Sequence, residues 1–210
     1  MAAAATVRGA VLATALAAGG GVLALLAVVG HGGTAGASLD RSDPALSFAR
    51  LASPASAADA IGPAERQGLA AVAASRGVDL DGSRATGSVL AGGAVRLLPG
   101  VDRLCLSVPD PVEGDAVACA TAEAAADGRL WTALVGMPGQ RPGDARVAIA
   151  VPDDADAVTA VSAHGERRAL PVAGNVTVAD LTDTAAYEMR RGDTTTQVAL
   201  PGTPVALARE

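Results

Sequence analysis

Carboxylates that could act as catalytic acids and bases, or hold a cation, are concentrated at Asp153, Asp154 and Asp156. Glycoside hydrolysis needs two such groups on opposite sides of a cleft, and hard cations prefer carboxylate oxygens. These acids instead follow Val151-Pro152 closely, which predicts that they share one solvated turn at the end of a strand. We therefore expect no catalytic pair, metal or cofactor there. The acids stay surface candidates, with a weak cation site as the alternative.

A hydrolase of the Ser–His–Asp type would need a histidine, and the chain offers only His31 and His164. His31 borders an apolar run, and His164 precedes Gly165 in a dipeptide typical of an exposed hairpin tip. The sequence contains no G-x-S-x-G motif, no P-loop and no G-x-G-x-x-G motif. It therefore predicts no catalytic residue and no nucleotide cofactor, and His164 is retained as a surface candidate.

The two cysteines, Cys105 and Cys119, fit a cross-strand disulfide. Leucine and valine alternate with smaller residues over Leu104–Val108, as expected for a strand. If the chain folds back through Pro109 to Asp115, Cys105 comes to lie directly opposite Cys119. A redox pair would have C-x-x-C spacing, and a metal site would need further cysteines or histidines. The pair therefore predicts a structural disulfide and an oxidising compartment.

The segment that determines where these groups are placed in the cell is the apolar run Ala10–Gly30, in which only Thr14 is polar. A helix of this length spans about 30 Å, the thickness of a bilayer's hydrocarbon core. Arg8 precedes the run, so residues 1–9 are expected to stay in the cytoplasm. The run fits an uncleaved signal anchor or a signal peptide cleaved after Ala37, and both readings place the remainder outside the cytoplasm.

Composition excludes some classes of function. All 16 basic residues are arginine. Because the formal net charge is −6, the basic surface that nucleic-acid binding requires is not expected. The aromatic residues are Phe48, Trp131 and Tyr187. So few aromatics predict a thin core of valine, leucine and alanine, with Trp131 as its one large anchor, and no stacking platform for bases or sugars.

Residues 31–84 are rich in alanine, serine and proline, which indicates a linker. Short helices are predicted at 44–51 and 54–60, each opened by a proline, and a longer one at 63–76 that ends at Gly77. Isolated helices as short as the first two are marginal in water. The segment is interpreted as a spacer that lifts the following domain off the membrane, with a helix that docks on a partner as the alternative.

From about residue 85 to 202, short apolar runs alternate with Gly, Pro and Asp, which predicts a mostly antiparallel all-β domain, a meander or a sandwich. A hairpin turn at His164-Gly165 would place Val161 opposite Arg168. Another at Gly192-Asp193 would place Tyr187 opposite Val198. Residues 203–210 are interpreted as a C-terminal tail. The whole chain is thus predicted as a transmembrane or signal helix, a short helical linker and a β-domain with one disulfide.

Several short features of this domain resemble a group of uncharacterised actinobacterial proteins that are exported or membrane-anchored and β-rich. They are, in chain order, Cys105 with Cys119, Val151-Pro152-Asp153, His164-Gly165 and Asn175-Val176. That group combines an N-terminal apolar segment with a cysteine pair, a VPDG-V step, a DG hairpin and an NV strand. The chain departs from it with Asp154 where Gly is usual and His164 where Asp is usual. The resemblance implies export and a β-domain, and it implies no activity.

These observations favour a non-catalytic domain tethered to the cell membrane, with its C-terminal part outside the cytoplasm and a binding or scaffolding role in the envelope. Its partners would be the membrane, through Ala10–Gly30, and other envelope components, but not nucleic acid. One alternative is an extracytoplasmic enzyme of unknown class that uses an acidic site. Another is an envelope sensor, which is disfavoured because only about nine residues would lie inside the cell.

Overall fold

The computed structural model describes residues 43–90, 92–109, 114–134, 145–181 and 184–200. Segment 1–9, the apolar run Ala10–Gly30, the cleavage position after Ala37 and the tail 203–210 lie outside these ranges. Within the described ranges, no helix is both long enough and apolar enough to cross a membrane. The anchor, the signal peptide and the localisation therefore stay predictions.

The described part of the chain is mostly antiparallel β structure with a few short helices, which confirms the antiparallel all-β part of the predicted fold. The helices are α1 (Ala49–Ala52), α2 (Pro63–Arg76) and α3 (Ala122–Ala126), and 3-10 turns cover Pro44–Leu46 and Ala57–Asp59. The strands are β1 (Arg84–Leu90), β2 (Gly93–Pro99), β3 (Arg103–Val108), β4 (Ala116–Thr121), β5 (Trp131–Leu134), β6 (Arg146–Ala150), β7 (Ala157–Val161), β8 (Arg167–Leu170), β9 (Val176–Asp180), β10 (Ala186–Arg191) and β11 (Thr194–Ala199).

These strands form three sheets that pack as layers. The first sheet has the order β1-β2-β3-β4, the middle sheet β5-β6-β9 and the last sheet β11-β10-β7-β8. One apolar core joins leucines of the first sheet to Ala148 and Ala150 of β6. A second core joins Val147 and Ile149 of the same strand to Tyr187 of the last sheet. The middle sheet is therefore buried on both faces, as the unbroken apolar run in β6 requires.

The predicted disulfide is present and joins Cys105 of β3 to Cys119 of β4, 14 residues apart. The two cysteines are directly opposed in the β3–β4 register, as the fold-back argument predicts. Helix α2 covers this face of the first sheet, since Leu69, only 1% exposed, packs in a small core with Leu98 and Cys105. The helix ends at Gly77 in the left-handed conformation, with φ of 63°, also as predicted.

The interpretation of residues 31–84 as a spacer is wrong for its described part, residues 43–84. Phe48 is fully buried and belongs to the first core together with Leu51 of α1. Leu69 of α2 packs on the first sheet of its own chain, and docking of this helix on a partner stays a prediction. The predicted short helices form as a 3-10 turn, α1 and a second 3-10 turn because packing on the β layers stabilises segments too short to be stable alone.

Of the two predicted hairpin registers, one is confirmed and one is off by a residue. Tyr187 lies opposite Val198 in the β10–β11 pair, as predicted. In the β7–β8 pair, Val161 lies opposite Arg167 instead of Arg168. The reason is a three-residue loop: the Ser162 N–H donates to the Glu166 carbonyl at 2.9 Å, and Gly165 adopts a φ of 82°.

The aromatic anchors also differ from the prediction. Trp131 is only partly buried, at the margin of the second core, because it begins β5, which pairs only with β6 among the described strands. Tyr187 and Phe48 are the largest fully buried side chains, one in each core. The Tyr187 hydroxyl donates a hydrogen bond of 2.6 Å to the Gly128 carbonyl, and burial raises the pKa of this phenol.

Candidate functional site

Asp153, the first of the predicted acids, is a structural cap. Its Oδ2 accepts a hydrogen bond of 2.6 Å from the Ala49 N–H, the first residue of α1. Its Oδ1 accepts from the Asn175 side-chain amide at 2.8 Å. A carboxylate at a helix N-terminus satisfies a free N–H and interacts favourably with the helix dipole. Both oxygens of Asp153 are thus used to join α1 to the β layers.

Asn175 is the centre of this junction. Its Oδ1 accepts from the Arg50 N–H at 2.8 Å, and its amide also donates to the Val151 carbonyl at 2.9 Å. It sits with Gly174 in a tight turn between Ala173 and Val176, and both turn residues have positive φ, of 53° and 66°. A Cβ on Gly174 would lie 2.3 Å from the Thr86 carbonyl oxygen, so only glycine fits against β1.

The two other acids point to different partners. Asp154 Oδ1 accepts from Arg191 Nε at 2.9 Å, and Asp156 Oδ2 accepts from the Gly192 N–H at 2.6 Å. Both therefore secure the β10–β11 turn, while Asp153 holds α1. Among the described residues, no three His, Cys, Asp or Glu side chains lie close enough together to hold a metal ion. The predicted acidic cluster is in one turn, as expected, and its carboxylates diverge.

His164 is exposed at the tip of the β7–β8 loop, where its backbone N–H donates to Ser162 Oγ at 3.2 Å. Asp156 precedes β7 and His164 follows it. The five residues of that strand separate the two by roughly 17 Å. The structure therefore does not bring His164 together with any of the three acids.

Two half-buried arginine–carboxylate clusters were missed by the sequence reasoning. In one, Asp59 accepts from the Ala85 N–H at 2.8 Å and pairs with Arg50 at 2.5 Å. In the other, Arg96 Nε lies 2.6 Å from Glu65 Oε1 on α2, while the same guanidinium donates to the Asp59 and Ala60 carbonyls. A lone arginine inside the apolar run of β2 was the available signal, because a buried guanidinium needs partners.

Asp59, in the first of these clusters, and Asp115, outside both, have shifted pKa values. Burial alone would raise the pKa of Asp59, but hydrogen bonds from Ser56 and Ala85 and the charge of Arg50 outweigh it and lower the pKa to about 2. Burial raises the pKa of Asp115, against a hydrogen bond of 3.0 Å from Ser107. Asp59 thus connects Arg50 to β1, whereas Asp115 accepts its hydrogen bond from Ser107 of β3.

The described surface offers one extended groove, which we call the Val89 groove. It consists of two adjoining cavities, of 430 and 360 Å³, that share Ser88 and Val89. A bulge in β1, with Gly87 at φ 82°, turns Val89 outward so that it is 64% exposed. Bulges that re-aim a side chain are common beside binding sites. The groove thus presents one exposed valine to solvent at the junction of its two cavities.

The two ends of the Val89 groove differ in chemistry. The first cavity is lined mainly by small apolar residues such as Ala58 and Ala94. The second is lined by Arg146 and Arg168, together with Asp180. Arg146 is engaged by Asp180 at 3.4 Å, whereas Arg168 makes no ion pair with any residue that the structure describes. The groove therefore combines an apolar end with an end that carries an available positive charge.

A third cavity, of 450 Å³, is bordered by Asp153, Asp156 and Asn175 together with Leu170 and Val172. Its polar side chains are those already engaged at the α1 junction and the β10–β11 turn. It is therefore a weaker candidate for binding than the Val89 groove.

Comparison of the chain with protein-family models, curated proteins and solved structures found no match.

Proposed function

We propose that this protein is a membrane-tethered extracytoplasmic domain that binds other components of the cell envelope and catalyses no reaction. The observation that carries the proposal is the apolar run Ala10–Gly30 ahead of a domain whose two cysteines form a disulfide. Disulfides persist in oxidising compartments, which agrees with export. Secretion after cleavage at Ala37 is the alternative, and it would deliver the same domain to the same side of the membrane.

The Val89 groove is the surface that best supports a binding role. Its exposed valine and alanine lining favour an apolar group, and Arg168 favours a carboxylate or another anion beside it. We therefore propose a partner that presents an apolar segment next to a negative charge. The whole chain has a formal net charge of −6, which would repel acidic partners, so the arginine end also selects where such a partner binds.

The export part of the proposal is tested by trapping free thiols in the producing cell with a maleimide that adds mass. The full chain is expected to show no reactive thiol, because Cys105 and Cys119 are bonded. A control chain that lacks residues 10–30 is expected to stay in the cytoplasm and react at both cysteines. External protease should also digest the full-length protein in spheroplasts without detergent. Free thiols in the full chain, or protection from protease, would contradict export.

The binding part is tested with a photo-crosslinking amino acid at position 89 of the full chain in living cells. The matched control carries it at Val101, which is 90% exposed and lies in the β2–β3 turn, outside the groove. We expect a covalent adduct of defined mass from position 89 and none from position 101. Arg168→Glu should abolish that adduct. Equal adducts from both positions, or an adduct that Arg168→Glu does not change, would overturn the proposed groove.

A further inference from the structure

Strand β11 lies at one edge of the last sheet, and nothing in the described part of the chain pairs with its outer side. It pairs with β10 through six consecutive residues without a bulge. A sheet edge of this kind presents a row of backbone donors and acceptors that can pair with another strand.

The β10–β11 turn determines which backbone groups face outward. Because the turn has two residues, Arg191 and Thr194 form a hydrogen-bonded pair, and such pairs then alternate along an antiparallel ladder. The Leu200 N–H donates to the Ala185 carbonyl at 2.9 Å, which agrees with this phase. The N–H and C=O groups that point away from β10 therefore belong to three exposed residues, Thr195, Gln197 and Ala199.

The edge of β11 lacks the usual protection against strand pairing. Its sequence, from Thr194 to Ala199, contains no charged residue and no proline. The opposite edge of the same sheet, β8, carries Arg167 and Arg168. The outer edge of β1 is interrupted by a bulge and lies against the Gly174 turn. Natural proteins block sheet edges with charges, bulges and covering segments, so β11 differs from both of these edges in being open.

We infer that β11 pairs antiparallel with β11 of a second copy of this chain, with Gln197 on the two-fold axis. Thr195 then lies opposite Ala199 of the second copy, and all three outward-facing residues exchange hydrogen bonds. No like charges meet in this register because the strand carries none. Because the two-fold axis uses the same edge of both copies, the assembly stops at a dimer. The last sheet then has eight strands, four from each copy.

A second copy is favoured over an extended segment of another protein. Domains that add a foreign strand gain specificity from pockets that receive its alternate side chains. None of the three described cavities is lined by a residue of β11. The edge thus offers backbone pairing without side-chain selection, which suits a strand of identical sequence in a self-complementary register.

The first test is the oligomeric state of the full chain in mild detergent, measured by sedimentation. Gln197→Lys places two positive charges face to face on the axis, while within each copy the lysine lies opposite Glu188, so the fold is retained. Thr159→Lys is the matched control, because Thr159 also lies opposite Glu188, from β7 in the sheet interior. We expect wild type and Thr159→Lys to dimerise equally, and Gln197→Lys to dimerise about fivefold more weakly.

The second test places a single new thiol at the axis or at the far edge. Gln197, Glu188, Thr159 and Ala169 form one row across the outer face, so Gln197→Cys and Ala169→Cys differ only in the edge they occupy. A short bis-maleimide should link two copies of Gln197→Cys and leave Ala169→Cys unlinked. Linkage of both variants, linkage of neither, or a wild type that is monomeric throughout the sedimentation series would overturn the inference. A dimer held together only by the apolar run Ala10–Gly30 would link neither cysteine variant, and it too would overturn the inference.

Discussion

At the scale of single residues, the acidic side chains that the sequence offered as candidates for catalysis or cation binding instead stabilise the fold. Asp153 and Asn175 connect α1 to the ends of β6 and β9, and Asp59 connects Arg50 to β1. Asn175 could not be recognised from sequence because its partners, Val151 and Arg50, lie 24 and 125 residues away. The local signal in the sequence is the Gly174-Asn175 pair. Both residues have positive φ, and asparagine tolerates this conformation better than most residue types other than glycine.

The role of Asn175 leads to a prediction about stability. Asn175→Gly keeps the left-handed backbone but removes the side-chain hydrogen bonds, so it should lower the free energy of unfolding by about 1–3 kcal/mol. Asn175→Ala loses the same bonds and also strains the backbone, which should cost about 1 kcal/mol more. Urea titration followed by circular dichroism measures both. If Asn175→Gly unfolds at the wild-type urea concentration, Asn175 does not join these segments.

Asp59 leads to a prediction about pH. Its pKa is about 2 in the folded protein, against an ordinary value of 3.8, so the unfolded chain binds a proton more readily than the folded one. The carboxylate therefore stabilises the fold above pH 4, and this stabilisation is lost as the pH falls from about 4 to about 2. Its size is on the order of 2 kcal/mol. Urea midpoints of wild type should fall across this window more steeply than those of Asp59→Asn, and parallel curves would contradict the assignment.

At the scale of elements, the N-terminal segment shows what pattern reasoning can and cannot supply. The proline and glycine signals gave the bounds of α2, because capping is a local effect. They could not show that Phe48 enters the first core, because its burial depends on strands far along the chain. The two hairpins show the same difference. The Gly192-Asp193 turn sets the β10–β11 register locally, whereas the β7–β8 loop has three residues instead of two, which the alternation of apolar residues does not reveal.

The packing of this N-terminal segment can be tested with one pair of variants. Phe48→Ala should lower the free energy of unfolding by about 3–5 kcal/mol, because it leaves a cavity in the first core. Leu46→Ala is the control: Leu46 lies two residues earlier and is 71% exposed, so its loss should change stability by less than about 0.5 kcal/mol. Thermal unfolding of both proteins separates a packed segment from a spacer. Equal melting temperatures for the two variants would restore the spacer interpretation.

At the scale of the whole molecule, the middle sheet ties two cores into one body. In β6, Ala148 and Ala150 face the first core while Val147 and Ile149 face the second. Five of the six residues from 146 to 151 are apolar, a composition typical of a strand buried on both faces. Which sheet covers each face is set by long connections and cannot be predicted from periodicity. That arrangement determines whether a substitution that destabilises one core also destabilises the other.

Because β6 is shared, we predict that the two cores unfold in one cooperative transition. The chain has a single tryptophan, Trp131, which packs at the second core and reports on it by fluorescence. Leu97 is fully buried in the first core, so Leu97→Ala should lower stability by about 2–5 kcal/mol without touching the tryptophan's surroundings. The urea midpoint from fluorescence should shift as far as that from circular dichroism. A fluorescence midpoint that stays at the wild-type value while the circular dichroism midpoint falls would mean that the cores unfold independently and that β6 does not couple them.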